Sequence, residues 1–252
     1  MSSASQCFAI QDIELLGGTK CKRIINGLWQ TASNAWGVET SQFNHDAIAR
    51  ELAELARLGF TSFDGADIYG ASEILMGKTK NMLQGVVNED GEEIKIQTLT
   101  KFVPSPVRQS RKMVEDSITK SSSRMQEDNV HLIQFHWWDY TLEDEMLEAV
   151  HHLDNLRIEG KIKSVGLTNM DTQRMRLFVD QGLQVNYLLI FMHVLLSSVL
   201  KGFVFFYFLV DFIESSTVFS NRHAAVCSNG TICRRAWHLL ANIRHAARWI
   251  AF

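Results

Sequence analysis

Between Arg23 and about Val185 the chain alternates short β-branched runs with longer stretches of helical periodicity, and few architectures accept that alternation. RIINGLWQ (23–30) reads as a first strand, ended by its glycine, tryptophan and Gln30. Asn44 can cap a helix whose apolar positions, Ile48, Leu52, Leu55 and Leu58, recur every three to four residues. Gly59 stops that helix, and TSF leads into Asp64. A helix around Glu73–Leu83, a polar loop at Asn88–Glu93 and a strand from Ile94 to Thr100 come next. The unit then repeats: a helix over Val107–Ser122, a strand over Val130–Phe135, and a helix over Leu142–Ile158 opened by a Thr141–Asp144 capping box. A strand over Ile162–Leu167 and a helix over Thr172–Asp180 follow. Strands therefore begin near 23, 60, 94, 130 and 162, with a sixth near 184. Helices between successive strands call for parallel pairing through right-handed crossovers.

Polar groups gather where the apolar runs end. Asp64, Lys101, His136 and the pair Thr168–Asn169 each follow a strand on its C-terminal side. In a parallel barrel those ends converge on one mouth. An open doubly wound sheet would also bind at its C-terminal edge, but it calls for a G-x-G-x-x-G loop after the first strand, and this sequence has none. The expected fold is an α/β barrel of the (β/α)8 TIM type, incomplete at about six β/α units. It occupies residues 20–186, and a divergent apolar and basic tail occupies 187–252.

That tail changes character abruptly. Its segment 187–213 is almost continuously apolar, interrupted by His193, Lys201 and Asp211. Residues 221–252 contain arginine and histidine but no acidic residue. Three readings stay open: a non-homologous ending, a membrane segment, and a buried helical hairpin. Lys201 near the middle of the segment disfavours the membrane. A net charge of -3 gives no reason to expect a nucleic-acid partner. Four cysteines in 252 residues do not form a disulfide scaffold, and free thiols in a reducing compartment are expected. A metal cluster of Cys227, Cys233, His223 and His238 is the less favoured alternative. The N-terminus lacks the pattern of a secretory signal, so a cytoplasmic location is expected.

The densest chemistry lies in FDGADIYGASEILMG (63–77), where Asp64 and Tyr69 share the loop leaving a strand. Lys101 and His136 would point into the same mouth. A tyrosine hydroxyl, with a reference pKa of about 10, donates poorly to a developing alkoxide at neutral pH. A nearby ammonium lowers that pKa, a carboxylate holds the ammonium in place, and an imidazole orients a carbonyl. The set suits hydride delivery from a reduced nicotinamide with Tyr69 as the proton donor, and it requires no metal. His151, His152 and the acids Glu143, Asp144, Glu145 and Glu148 read as a solvated or packed helical face.

These segments resemble the aldo/keto reductase family. FDGADIYGASEILMGK is similar to that family's F-D-T-A-D-x-Y-G-x-[SA]-E-x-x-x-G-K signature, LTKF carries Lys101, and IQFHWWDY carries His136. The resemblance implies a catalytic tetrad of Asp64, Tyr69, Lys101 and His136. EGKIKSVGLTNMDTQRM implies that Thr168 and Asn169 hold the nicotinamide carboxamide. Asp64, Thr168, Asn169 and Gln184 make up the implied cofactor contacts, although Gln184 also aligns as an ordinary strand residue. Trp29 and Trp137 are the expected walls of the substrate pocket; of the pair Trp137 and Trp138 that flanks His136, one walls the pocket and the other packs outward. The implied reaction is reversible NADPH-dependent reduction of an aldehyde or ketone, with a small-molecule carbonyl as partner. The resemblance covers residues 20–185, and the family's later strands and phosphate-binding loops have no counterpart beyond Val185. Two further readings stand beside the enzyme: a non-catalytic truncated product of such a gene, and a reductase-like domain anchored to a membrane through 187–213.

Overall fold

The computed structural model describes residues 10–15, 18–29, 44–187 and 206–208. The first described element is a hairpin, β1 (Asp12–Glu14) against β2 (Lys20–Lys22), paired antiparallel with Ile13 opposite Cys21. Six strands then run parallel in chain order: β3 (Ile24–Gly27), β4 (Ser62–Asp64), β5 (Gln97–Phe102), β6 (Leu132–Phe135), β7 (Val165–Leu167) and β8 (Asn186–Tyr187). Helices join successive strands: α1 (His45–Arg57) before β4, α2 (Ser72–Met82) before β5, and α3 (Arg111–Met125) before β6. α4 (Glu143–Ile158) precedes β7, and α5 (Thr172–Asp180) precedes β8. A further strand, β9 (Phe206–Phe208), pairs antiparallel with the outer edge of β3 and gives, among the described residues, a seven-stranded sheet in the order β8-β7-β6-β5-β4-β3-β9. The six parallel strands are the partial barrel that the alternating pattern called for.

Register explains how the sheet separates its two faces. Asp64 pairs with Leu99, Leu99 with Leu132, and Lys101 with Gln134. Strand side chains alternate with a period of two, so these residues lie on one face. Leu15, Cys21, Ile25, Leu99 and Leu132 form a small apolar cluster there. The hairpin plugs the N-terminal end of this interior: Ser164 donates to Thr19 at 2.8 Å, and the Lys22 amide donates to the Ser62 hydroxyl at 2.7 Å. The opposite face carries Phe63, Phe102, Ile133, Phe135 and Val165, which pack on helix residues such as Leu52, Leu75, Val114 and Leu153. Fully burying side chains of this kind stabilises the fold by about 1.5–3 kcal/mol each.

Local chemistry sets the helix boundaries. The Asn44 side chain accepts from the Ala47 amide at 3.0 Å and starts α1 as expected. α3 begins at Arg111, four residues later than the sequence pattern placed it. Pro104 and Pro106 hold the preceding loop extended, Gln109 Nε2 bonds the Ser105 and Val107 carbonyls, and Ser110 supplies the cap. The Thr141–Asp144 capping box does not form. Thr141 instead donates to Asp139, and α4 starts after Leu142 with no side-chain cap. α2 and α3 approach closely at Gly77, where an added Cβ would lie 2.5 Å from the Arg124 carbonyl oxygen. Two of these helices are also locked by charge: Arg124 of α3 bonds the buried Glu73 of α2, which accepts from Thr100 of β5 as well.

Candidate active site

Three strand ends build the centre of the site. Lys101 belongs to β5 itself, because that strand continues to Phe102 where the sequence pattern ended it at Thr100. In register it sits one inward-facing position beyond Asp64, and its long side chain reaches back to close the gap. Lys101 Nζ donates to Asp64 Oδ2 at 2.6 Å and to the Gly65 carbonyl at 3.0 Å. The ion pair is buried, with the two side chains only 4% and 2% exposed. Gln134 of β6 donates to the other carboxylate oxygen at 2.6 Å. Both oxygens of Asp64 are therefore engaged within the protein. Gln134 was not singled out in the sequence, although a polar residue inside the apolar run LIQF, two positions before His136, was the available signal.

Tyr69 lies on the turn after β4, where its amide donates to the Ala66 carbonyl at 3.0 Å. Its ring centroid is 4.8 Å from Lys101 Nζ and 5.8 Å from the Trp29 ring, which stacks on it at 20°. Burial raises the phenol pKa above 10.0, and the opposing pull of the Lys101 ammonium does not reverse it. The expected net lowering by Lys101 is thus not seen in this structure, because desolvation outweighs the neighbouring charge. The phenol is held as a protonated donor.

His136 follows β6 directly, and its amide donates to the Phe102 carbonyl at 3.0 Å. Burial, then the Lys101 charge, pushes its pKa below 6.5, which favours a neutral imidazole. Its Nε2 lies 3.3 Å from Asn169 Nδ2, so the imidazole and the β7 loop meet. Asn169 adopts a left-handed backbone, φ 57°, a conformation asparagine tolerates better than most residues. The Tyr140 hydroxyl braces it by donating to its carbonyl at 2.8 Å. Thr168 beside it is buried, and its hydroxyl oxygen has no hydrogen-bond partner among the described residues.

Two expected contacts fall elsewhere. Trp137 does not line an opening: it is fully buried, stacks on Phe135 at 5.7 Å, and its indole N–H donates to the Asp139 carbonyl at 2.6 Å. Its neighbour Trp138, 58% exposed, lies against His136 at a ring distance of 4.3 Å. Alternation past the strand turned the first indole into the core and left the second at the mouth. Gln184 is exposed and lies two residues before β8, towards the N-terminal end of the sheet and away from the other site residues. Of its two readings, the ordinary strand-flank residue is the one this position fits. The tail's Cys227, Cys233, His223 and His238 lie outside the described residues, as does segment 187–213 apart from Tyr187 and 206–208. Among the described residues no helix is long and apolar enough to cross a membrane.

The family model described as "Aldo/keto reductase family" matches residues 23–193, more than half of the sequence. The chain belongs to the aldo/keto reductase family. Among curated relatives, the aldo-keto reductase YhdN of Bacillus subtilis is 24% identical over 167 residues, covering 64% of this chain and 47% of that one. The chloroplastic pyridoxal reductase of Arabidopsis thaliana is 28% identical over 157 residues, covering 59% of this chain and 42% of that one. This aldo/keto reductase chain thus spans about half the length of the curated relatives it matches. Among solved structures, an aldo/keto reductase from Brucella melitensis superposes with a TM-score of 0.53 at 22% identity, covering 72% of this chain and 64% of that one. A Bombyx mori aldo-keto reductase solved in complex with NADP superposes with a TM-score of 0.53 at 18% identity, covering 68% and 54% respectively. These likenesses show the barrel fold, of which this chain carries six parallel strands among its described residues.

Proposed function

We propose that this aldo/keto reductase chain reduces an aldehyde or ketone with NADPH, reversibly, using Tyr69 as the proton donor. The observation that carries the reading is the buried Lys101–Asp64 pair at 2.6 Å with the Tyr69 ring centroid 4.8 Å from the ammonium. The Bombyx mori relative solved with NADP supports the choice of cofactor. Within this chain, the unpartnered Thr168 hydroxyl and the Asn169 amide beside His136 fit a carboxamide, so these two residues would hold the nicotinamide end. Bound NADPH would supply the hydride.

The remaining work falls to the chain's own groups. Tyr69 Oη gives its proton to the carbonyl oxygen as charge develops there, and the ammonium of Lys101 stabilises the phenolate left behind. Asp64 fixes Lys101 in place through the buried ion pair. Neutral His136 donates a hydrogen bond to the same oxygen and orients it. Trp29, stacked on Tyr69, and Trp138, against His136, flank the entrance. Trp29 keeps its expected role as a pocket wall in this reading, and Trp138 takes the place of Trp137.

The test is NADPH titration of the purified 252-residue chain by fluorescence, followed by carbonyl reduction with Tyr69→Phe as control. Saturable binding, with turnover falling about 10²–10⁴-fold in the variant, is the expected result. A folded, monodisperse sample without NADPH binding would leave the second reading, a non-catalytic member of the family.

A further inference from the structure

One carboxylate at the mouth stands outside the tetrad and is held in an unusual way. Asp67 lies on the loop between Asp64 and Tyr69, and two of its groups reach the end of β5. Its amide donates to the Lys101 carbonyl at 3.1 Å, and its Oδ2 accepts from the Val103 amide at 3.1 Å. These bonds fall on either side of Phe102, so the β5 terminus is gripped at two points by one residue. The other carboxylate oxygen, Oδ1, is buried with no hydrogen-bond partner among the described residues. Leaving a charged oxygen in that condition opposes folding, and such exceptions call for an explanation.

Position supplies one. Lys101 is the first residue that Asp67 grips, and Tyr69 lies two residues beyond Asp67 on a tight turn. We propose that Asp67 is a positioning residue that locks the loop bearing Tyr69 to the strand end bearing Lys101, and so keeps the phenol beside the ammonium. The inference rests on the reading of Tyr69 and Lys101 as proton donor and partner, and it adds a third residue that sets their distance. Side-chain reach is central to it. The bond to Val103 needs an acceptor one methylene from the backbone, which asparagine also offers and alanine does not.

Among the described residues, the charged groups acting on Asp67 are few. Glu73 of α2 raises its pKa, Arg124 of α3 lowers it, and Asp67 in turn raises that of Tyr69. Lys101 of β5 is turned towards Asp64. Burial is the largest influence and lifts the carboxyl from 3.8 to about 6. The proton on this clamp therefore changes within an accessible pH range, and that change can be followed at its partner amide.

The experiment is NMR on the full chain with labelled valine amides and tyrosine rings, which needs no turnover. In the wild-type chain the Val103 amide proton shift is expected to titrate with a midpoint of about 6, and this titration disappears in Asp67→Asn. A cross-peak between the Tyr69 ring and the Lys101 side chain is expected in the wild type and in Asp67→Asn, and lost in Asp67→Ala. Under the reductase reading, kcat falls about 10²-fold in Asp67→Ala with KM little changed, and asparagine restores most of it. A Val103 amide that stays flat from about pH 3 to about pH 8, where any carboxyl it bonds must titrate, overturns the proposal, even if the alanine variant fails to fold. So does a cross-peak that survives in Asp67→Ala. Titration and cross-peak as expected, with no turnover in any chain, would sustain the clamp and defeat the reductase reading.

Discussion

Asp67 also has a consequence for stability, because its carboxyl binds a proton more tightly in the folded chain than in the unfolded one. Its folded pKa of about 6 lies above the ordinary 3.8, so ionising it opposes folding. The penalty is absent below 3.8, grows through the interval, and is complete above about 6. A gap of that size corresponds to about 3 kcal/mol. Asp67→Asn, which keeps the acceptor and removes the charge, is therefore expected to raise stability by up to about 3 kcal/mol at pH 8 and by almost nothing near pH 3.5. Urea unfolding at both pH values measures it, and a stability gain independent of pH would sink the assignment. At this scale the site was only partly legible in the sequence. Asp64, Lys101 and His136 could be read because each lies at the C-terminal end of an apolar run, where barrel strands converge. Gln134 and Asp67 were missed because their partners lie far away in sequence: the polar residue inside LIQF marks Gln134 but not its bond to Asp64, and nothing local ties Asp67 to the end of β5. Trp137 was expected at the pocket but is buried, while Trp138 is exposed beside His136, because one residue's rotation past a strand end decides which indole is buried.

Among the elements, the two sequence-derived helix caps separate sharply. Asn44 accepts from the Ala47 amide, whereas Thr141 donates to Asp139 and caps nothing. Asn44→Ala is expected to cost about 1 kcal/mol, and Thr141→Ala a few tenths at most on the capping account. Equal losses in thermal or chemical denaturation would contradict the difference seen here. The α2–α3 contact gives a larger effect. A methyl at Gly77 would meet the Arg124 carbonyl at 2.5 Å, and backbone cannot yield as a flexible side chain can. Gly77→Ala is expected to destabilise the chain by about 1–3 kcal/mol, despite alanine's better helix propensity. A stabilised G77A variant in urea titration would show that the two helices separate freely. Helix existence was legible throughout, because apolar periodicity over more than two turns is a long signal. Boundaries were less so: α3 starts where Ser110 caps it, and the prolines before it only exclude an earlier start. The β1–β2 hairpin escaped notice because three-residue strands have too little alternation to register.

At the scale of the molecule, the question is how a partial barrel treats the edge that its first parallel strand exposes. An unpaired edge presents a row of N–H and C=O groups that recruits other chains. Here β9, from the apolar segment after residue 186, pairs antiparallel with β3, Ile25 opposite Tyr207. The six parallel strands were legible because helices between strands dictate parallel pairing. An antiparallel seventh strand from an apolar run was not, since that composition fits a strand, a core helix or a membrane segment alike. Proline at the centre of β9 discriminates, because it removes an amide donor and restricts the preceding residue. Tyr207→Pro is expected to weaken pairing by about 1 kcal/mol for each ladder bond lost. Amide exchange at Ile24, Ile25 or Asn26 should then speed up about fivefold or more, while amides within β5 keep their protection. Freed of its cover, the β3 edge should also favour self-association, seen as a concentration-dependent rise in apparent mass by light scattering. Unchanged exchange in β3 with unchanged mass would mean that β9 contributes nothing to closing the edge. Acceleration across β5 as well would mean that the edge strand holds the whole sheet together, and the cover would then be a condition of folding.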